Sequence, residues 1–225
     1  MKEFEEIRKR LLDEGLCEVG ASMPPCIPDE LRAYPYAVTL MFRLSDAVLS
    51  QIGDAPTYAY FQHYRAANAL LDRCALLAGE MIRRAGYDYF PIAASQSVHG
   101  KADEYTGIFQ HKTAAVAAGL GWIGKSALFI SPEHGSRVRM ATVLTNMPIV
   151  EKNPEPCPNG CGECRRCAEA CPAGAISGEL YVPGADRSIV LDAKKCSEYM
   201  KKAYQLIGRG VVCGRCIYVC PYGGK

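Results

Sequence analysis

The chain has 225 residues, of which 49% are apolar, and its formal net charge is +2. This length allows one sizeable domain with a packed core and a second, smaller domain. The near-neutral charge argues neither for nor against a polyanionic partner such as RNA. The charged amino terminus lacks the apolar core of a signal peptide, and no apolar run approaches the ~20 residues of a membrane span. We therefore expect a cytoplasmic protein.

Helix and strand patterns alternate along the first 150 residues. Phe4, Ile7 and Leu11 recur at helical spacing. A cap residue, Asp54, followed by Pro56, predicts the start of a long helix that Gly86 ends. The predicted helices cover residues 2–14, 58–85 and 111–118, and the predicted strands cover residues 16–20, 36–42, 87–93, 126–130 and 138–146. The last two strands are expected to be joined by a turn at residues 132–135.

Two stretches without periodicity divide these elements. Residues 95–107 are polar and long enough to be a functional loop. Residues 148–158 are rich in proline and polar side chains, and they predict a boundary between a domain at residues 1–150 and a domain at residues 151–225. In the second domain, residues 192–207 are expected to form a helix that carries Cys196.

A glycine-rich segment, Gly119-Leu-Gly-Trp-Ile-Gly-Lys-Ser126, follows the third predicted helix. It contains G-x-G-x-x-G, but a dinucleotide fingerprint needs a strand before it and a helix after it, and here the order is reversed. Its spacing also excludes a Walker A loop. Closely spaced glycines allow the backbone to approach a ligand, while a tight turn between helix and strand is the alternative. Trp122 is interpreted as a packing anchor.

The strongest signal is the cysteine run Cys161-Gly-Glu-Cys-Arg-Arg-Cys-Ala-Glu-Ala-Cys-Pro172. Its C-x2-C-x2-C-x3-C-P spacing is typical of bacterial ferredoxins with cubane iron–sulfur clusters. Cys196 and the run from Cys213 to Pro221 supply a second half. The cysteine before each proline ligates the other cluster in such proteins. We therefore predict one cluster on Cys161, Cys164, Cys167 and Cys220, and a second on Cys171, Cys196, Cys213 and Cys216.

Other roles for these cysteines are less favoured. Disulfides need an oxidising compartment, and four-cysteine zinc sites normally consist of separated C-x2-C pairs. Four of the twelve cysteines lie outside the predicted ligand sets. Cys74 is expected in the core because it lies in an apolar helix pattern. Cys157 is interpreted as a loop residue, with a spare ligand as the alternative.

The sequence resembles the epoxyqueuosine reductase family, which pairs a cobalamin-binding domain with a double-cubane domain and is related to reductive dehalogenases. The resemblance rests on the segment from Ala118 to Ser126, on Ile130–Ser136 and Thr142–Thr145, and on the cysteine order that follows them. It implies an α+β fold: a flavin-reductase-like layered domain with a mostly antiparallel or mixed sheet, plus a small ferredoxin-type domain.

The resemblance also implies a mechanism. Two 4Fe-4S clusters would pass electrons to a cobalamin, and the substrate would be the epoxide of a modified nucleoside in tRNA. Residues of the glycine-rich segment would lie against the corrin or its tail: Gly119, Gly121, Gly124, Lys125 and Ser126. A low-potential electron donor would be the remaining partner.

The sequence departs from the family where a proton donor is expected. An aspartate usually stands where this chain has Tyr105, and tyrosine is a weaker acid with a reference pKa near 10. Asp103 lies close by in sequence. His111 is the third candidate, although it could instead cap its helix. We also expect no counterpart of the family's helical extension after the last cysteine. The alternative function is therefore an electron-transfer protein that has no substrate of its own and reduces a corrinoid partner.

Overall fold

The computed structural model describes residues 2–96, 98 and 105–223. The chain forms two compact units, each assembled from separate segments. The first comprises Met1–Arg43, Ala66–Gly121 and Val138–Cys157, and the second comprises Leu44–Arg65, Trp122–Arg137 and Pro158–Lys225. The predicted cut between residues 150 and 151 assigns residues 44–65 and 122–137 to the first domain, whereas the compact units group both segments with the cysteine-rich region.

The described residues contain short and long helices and six strands. The α-helices are α1 (Lys2–Asp13), α2 (Asp46–Leu49), α3 (Tyr58–Arg84), α4 (His111–Ala117), α5 (Arg166–Glu169), α6 (Ala193–Tyr204) and α7 (Arg215–Tyr218). The strands are β1 (Glu18–Ser22), β2 (Tyr36–Arg43), β3 (Tyr89–Ile92), β4 (Trp122–Ile123), β5 (Phe129–Ile130) and β6 (Val138–Thr145). Within the described ranges, no helix combines the length and apolarity needed to cross a membrane.

Four strands of the first unit form an antiparallel sheet in the order β1-β2-β6-β3. The two central strands pair from Tyr36 opposite Thr145 to Arg43 opposite Val138. Buried residues occupy consecutive positions of β2 from Ala37 to Met41, as expected for a strand covered on both faces. The expected α+β fold is confirmed, and the sheet that was expected to be mostly antiparallel or mixed is antiparallel.

Helices α1 and α3 cover one face of this sheet. Phe4, Ile7 and Leu11 form the buried stripe of α1, as their helical spacing predicts. Leu71 and Cys74 of α3 join them in one core with Val38 and Leu40 of β2, among other residues. The long helix ends before Gly86, whose φ of 90° is the left-handed conformation that favours glycine after a helix.

Helix α4 covers the opposite face. Ala114 packs in a smaller core with Phe109, Ala37, Ile92 and Leu144. The Ser22 hydroxyl at the end of β1 donates a hydrogen bond to the Ala114 carbonyl at 3.0 Å. The first unit is therefore a sheet between two helical layers.

The second unit contains little regular structure. Strands β4 and β5 form a two-residue antiparallel ladder, with Trp122 opposite Ile130. Phe61, Tyr204 and Val211 form a small core. A Cβ added at Gly214 would lie 2.6 Å from the Tyr60 ring, so the chain passes close to this aromatic side chain.

Two details of the predicted elements were wrong. The long helix is capped by Thr57, whose hydroxyl accepts a hydrogen bond from the Tyr60 amide, and Asp54 lies further upstream. Residues 126–130 were expected as one strand joined to the strand at residues 138–146. In the structure Ser126 and Ala127 form a turn, and only Phe129–Ile130 is a strand, paired with Trp122–Ile123.

Candidate metal centre

Four cysteines of the second unit line one cavity. These cysteines are Cys161, Cys164, Cys167 and Cys220. All four are half-buried. The other lining residues are Lys125, Ser126, Ile130, Arg166, Pro221 and Tyr222. Four thiols around one cavity are the donor set that a four-iron cubane requires.

The backbone explains why the C-x2-C-x2-C spacing brings three thiols together. Gly162 has a φ of 47°, a left-handed conformation that costs glycine little. The Cys164 amide then donates to the Cys161 carbonyl at 3.0 Å. Helix α5 begins two residues later and carries Cys167. A tight turn followed by one helical turn therefore directs the three side chains to one place.

The second group contains the remaining predicted ligands, which lie close enough for their charges to interact: Cys171, Cys196, Cys213 and Cys216. Cys196 lies on α6, which begins after Asp192, and the Asp192 carboxylate accepts a hydrogen bond from the Lys195 amide at 2.8 Å. Gly214 has a φ of 74° and turns the chain between Cys213 and α7, which carries Cys216. Cys216 also lies close enough to Cys167 for their charges to interact, so the division of the cysteines into two ligand sets stays a prediction.

Burial makes these thiols weak acids in the absence of metal. It raises the pKa of Cys196 to about 11, and the neighbouring Cys171 and Cys213 add to the rise. Burial also raises the pKa of Cys167, Cys213 and Cys216. Because iron binds the thiolate, cluster assembly must displace these protons.

A hairpin tip forms another wall of the cavity. The Gly124 amide donates to the Leu128 carbonyl at 2.8 Å, and the Ala127 amide donates to the Gly124 carbonyl at 2.9 Å. Ala127 has a φ of 58°, so the tip is a turn followed by a left-handed residue. It places Lys125 and Ser126, each 7% exposed, in the cavity wall.

Gly124 lies directly against the first group of cysteines. A Cβ at this position would be 3.2 Å from the Cys161 sulfur and 2.9 Å from Cγ1 of Ile130. The hairpin approaches the cysteine loop this closely only because the residue is glycine. The described contacts of Gly124, Lys125 and Ser126 are therefore with the proposed cluster cavity, and their role towards a corrin stays a prediction.

Gly119 has a structural explanation within the first unit. The Gly119 amide donates to the Val116 carbonyl and the Leu120 amide donates to the Ala115 carbonyl, which is the Schellman end of α4. Gly119 has a φ of 71°, and a Cβ there would lie 2.8 Å from Cγ of Pro154. These contacts support the alternative interpretation of Gly119, in which it belongs to a tight turn between helix and strand.

Cys157 also belongs to this turn. Its thiol donates to the Gly119 carbonyl at 3.0 Å, which supports its interpretation as a loop residue. Gly121, the middle glycine of the segment, has a φ of 156°. Its corrin contact stays a prediction.

His111 is held at both ring nitrogens in the first unit. Nε2 lies 3.0 Å from the Ala93 carbonyl, and Nδ1 lies 2.8 Å from the Thr142 hydroxyl. Because a carbonyl can only accept, Nε2 carries the hydrogen and Nδ1 accepts from Thr142. Burial lowers the pKa of His111 to about 4, so the ring is neutral at pH 7. These contacts support a structural role, and its catalytic role stays a prediction.

The other two catalytic candidates lie in the segment before α4. Tyr105 is half-buried and has a φ of 71°, an uncommon conformation for a residue with a side chain. Asp103 lies outside the described residues. Their roles as proton donors stay predictions.

The sequence did not single out Tyr222, which lines the cavity two residues after Cys220. Its hydroxyl donates to the Gly160 carbonyl, and its ring meets the Trp122 ring edge-on at 5.2 Å. Trp122 is only 7% exposed, in agreement with its interpretation as a packing anchor. The only sequence signal for Tyr222 was its position directly after the last Cys-Pro pair.

Comparison with known proteins defines the class of this cysteine-rich region. Residues 160–223 match the family described as a 4Fe-4S double cluster binding domain. The chain therefore contains a double 4Fe-4S domain of the ferredoxin type, as the cysteine spacing predicted.

The resemblance to epoxyqueuosine reductases is also confirmed. The chain is 34% identical over 136 residues to the epoxyqueuosine reductase of Listeria monocytogenes, which covers 59% of this chain and 35% of that protein. The chain spans about a quarter to a third of the first curated relatives that it matches.

Solved structures show a shared fold. Epoxyqueuosine reductase from Streptococcus thermophilus aligns with a TM-score of 0.62 and 20% identity, over all of this chain and 67% of that one. A reductive dehalogenase studied for B12-dependent dehalogenation aligns with a TM-score of 0.72 and 21% identity, over 98% of this chain and 32% of that one. At these identities the likeness concerns the fold alone.

Proposed function

We propose that the chain is an iron–sulfur oxidoreductase that resembles epoxyqueuosine reductase and delivers electrons from two 4Fe-4S clusters to a corrinoid. The observation that carries this proposal is a double 4Fe-4S domain within a fold shared with epoxyqueuosine reductases and a B12-dependent dehalogenase. A low-potential donor would supply the electrons. The large number of cysteines used as ligands favours a reducing compartment, the cytoplasm.

The second unit fits the clusters. Cys161, Cys164, Cys167 and Cys220 line one cavity, so we assign them to the first cluster. The second cluster is assigned to the other interacting group, Cys171, Cys196, Cys213 and Cys216. When bound, cubane clusters accept and release single electrons at potentials down to roughly −700 mV.

The first unit is proposed to hold the corrinoid as a flavin-reductase-like layered domain. Its sheet between two helical layers supports this assignment. Gly119 is accounted for by the end of α4, and Gly124 by its approach to Cys161. These two contacts leave Gly121 as the glycine of the segment that is available to contact a corrin. A corrinoid would supply a cobalt centre that takes up single electrons.

The proposed substrate is an epoxide of a modified nucleoside in tRNA. Reduction of an epoxide to an alkene takes up a pair of electrons and a pair of protons and releases water. The clusters would supply the electrons, and Tyr105 is our first candidate for a proton donor because it stands at the family's aspartate position. The similarity to proteins named epoxyqueuosine reductase supports this substrate class.

An anaerobic titration of the reconstituted protein with cob(II)alamin tests the proposal. We expect saturable binding with a change in the cobalt EPR spectrum, and weaker binding to Gly121→Ala. Gly53→Ala is the control, because a Cβ at Gly53 would meet nothing within 4 Å. Absence of binding by protein that carries both clusters would contradict the corrinoid proposal.

The second candidate is an electron-transfer protein that reduces a corrinoid partner and has no substrate of its own. The observation that favours it is His111, whose ring nitrogens are both occupied and which therefore has no free proton to donate. Turnover of an epoxyqueuosine-containing tRNA by the isolated protein would exclude this alternative. Reduction of an added corrinoid protein without such turnover would support it.

A further inference from the structure

Lys125 is a buried cation in the wall of the first cysteine cavity. Only 7% of it is exposed, and it lies at the tip of the β4–β5 hairpin. Among the residues that the structure describes, it has no hydrogen-bond or ion-pair partner. A lysine whose stem is buried in a cavity wall presents its charge to that cavity, where the charge favours an anion.

The anion is not supplied by the described protein around the cavity. Its described lining contains no carboxylate, and its other cation is the exposed Arg166. The cysteines opposite Lys125 become thiolates when they bind iron. A cubane with four thiolates carries a net negative charge, which increases by one when the cluster accepts an electron.

We propose that Lys125 is the counter-charge of the first cluster and stabilises its reduced state. The inference rests on the proposed assignment of Cys161, Cys164, Cys167 and Cys220 to that cluster. In the redox step the cluster takes one electron from an external reductant, no covalent bond breaks, and Lys125 keeps its proton. Because the positive charge favours the more negative state, it raises the reduction potential.

The hairpin fixes this charge in place. Backbone hydrogen bonds from Gly124 to Leu128 and from Ala127 to Gly124 define the turn that carries Lys125. Gly124 itself would place a Cβ only 3.2 Å from the Cys161 sulfur. A charge in the wall of a cavity is screened less by water and salt than a charge on an exposed side chain.

An EPR-monitored redox titration with dithionite tests the inference on the reconstituted protein and on Lys125→Met. We expect one cluster to become at least about tenfold harder to reduce, a shift of about 59 mV to more negative potential for one electron. Arg166→Met is the matched control, because it removes an exposed cation from the same cavity. The change in reduction potential that Arg166→Met causes should be much smaller and should vanish at high salt. Lys125→Arg should retain the wild-type potential.

Several outcomes would overturn the inference. Lys125→Met with both clusters present and unchanged potentials would do so, and so would equal shifts in Lys125→Met and Arg166→Met. If Lys125→Met and Lys125→Gln lose the first cluster while Lys125→Arg keeps it, the charge is required for assembly and the inference stands. Loss in all three variants would assign Lys125 a packing role instead. Absence of both clusters from the wild type would contradict the proposed function itself.

Discussion

Gly119 and Gly124 belong to one glycine-rich segment, but the structure requires glycine at these two positions for different reasons. Gly119 ends α4 in a left-handed conformation and packs against Pro154. Gly124 brings a hairpin close to the Cys161 sulfur. The segment therefore combines a helix end with one wall of the metal centre.

The first prediction concerns the contact between Gly124 and Cys161. In Gly124→Ala the new methyl group would lie 3.2 Å from the sulfur and 2.9 Å from Ile130, so the hairpin or the cysteine loop must move. We expect the variant to lose the first cluster while it retains the second. Iron and sulfide analysis with EPR would measure this, with Gly53→Ala as the control. A variant with the wild-type iron content would contradict the close approach.

The second prediction concerns Tyr204 beside the other cysteine group. Burial raises the pKa of Cys213, and the nearby Tyr204 hydroxyl opposes that rise because it stabilises the thiolate. Hydrogen bonds to cluster sulfurs raise the reduction potential. Tyr204→Phe should therefore make the potential of the second cluster more negative by roughly 20–60 mV, which corresponds to about 0.5–1.5 kcal/mol.

The same redox titration would measure this shift. Tyr204 is only 7% exposed and packs with Phe61 and Val211, so phenylalanine preserves the ring in that core. Tyr218→Phe is the control because Tyr218 is 38% exposed. A wild-type potential in Tyr204→Phe, with both clusters present, would show that the hydroxyl does not tune the second cluster.

At the scale of elements, α4 is anchored by a histidine that must stay neutral. The pKa of His111 is lowered to about 4, chiefly by burial, whereas an unfolded histidine titrates near 6.5. Below pH 6.5 the unfolded chain therefore binds a proton that the folded chain does not. The neutral His111 ring therefore makes its full contribution to the free energy of unfolding above pH 6.5, and this contribution is lost as the pH falls from 6.5 towards 4.

The third prediction follows from this titration. The folded protein should lose at most about 3 kcal/mol between pH 7.5 and pH 4 through His111. His111→Gln should have a smaller difference in apparent Tm between pH 7.5 and pH 5.5 than the wild type. His63→Gln is a comparison, because burial lowers the pKa of His63 less far. An identical pH dependence in wild type and His111→Gln would contradict the neutral anchor.

Elements with a strong apolar pattern could be predicted from the sequence. Helices α1 and α3 and strand β2 lie where the spacing of Phe4, Ile7 and Leu11 and the run from Tyr36 to Phe42 indicate. The short β4–β5 pair could not be predicted, because two-residue strands carry no periodicity and their pairing depends on the turn at Gly124. Gly119 could have been identified as a helix end, since it follows an alanine-rich helix.

At the scale of the molecule, the grouping of distant segments was beyond the sequence pattern. Cys164 and Cys167 are placed by local spacing, so their common cavity was predictable. Lys125 and Tyr222 lie on opposite sides of that cysteine run in sequence, and only tertiary packing brings them to the same cavity. For the same reason, the cut at residue 150 did not anticipate that residues 44–65 and 122–137 belong to the second unit.

The central claim is that two separate cysteine sets each hold one 4Fe-4S cluster. The most direct measurement is iron and acid-labile sulfide in anaerobically reconstituted wild type, Cys164→Ala and Cys213→Ala. The assignment predicts about eight iron atoms and eight sulfides in the wild type and about four of each in either variant. The two variants should retain different EPR signals. Zinc without sulfide in the wild type, or loss of the same signal in both variants, would contradict the two-cluster assignment.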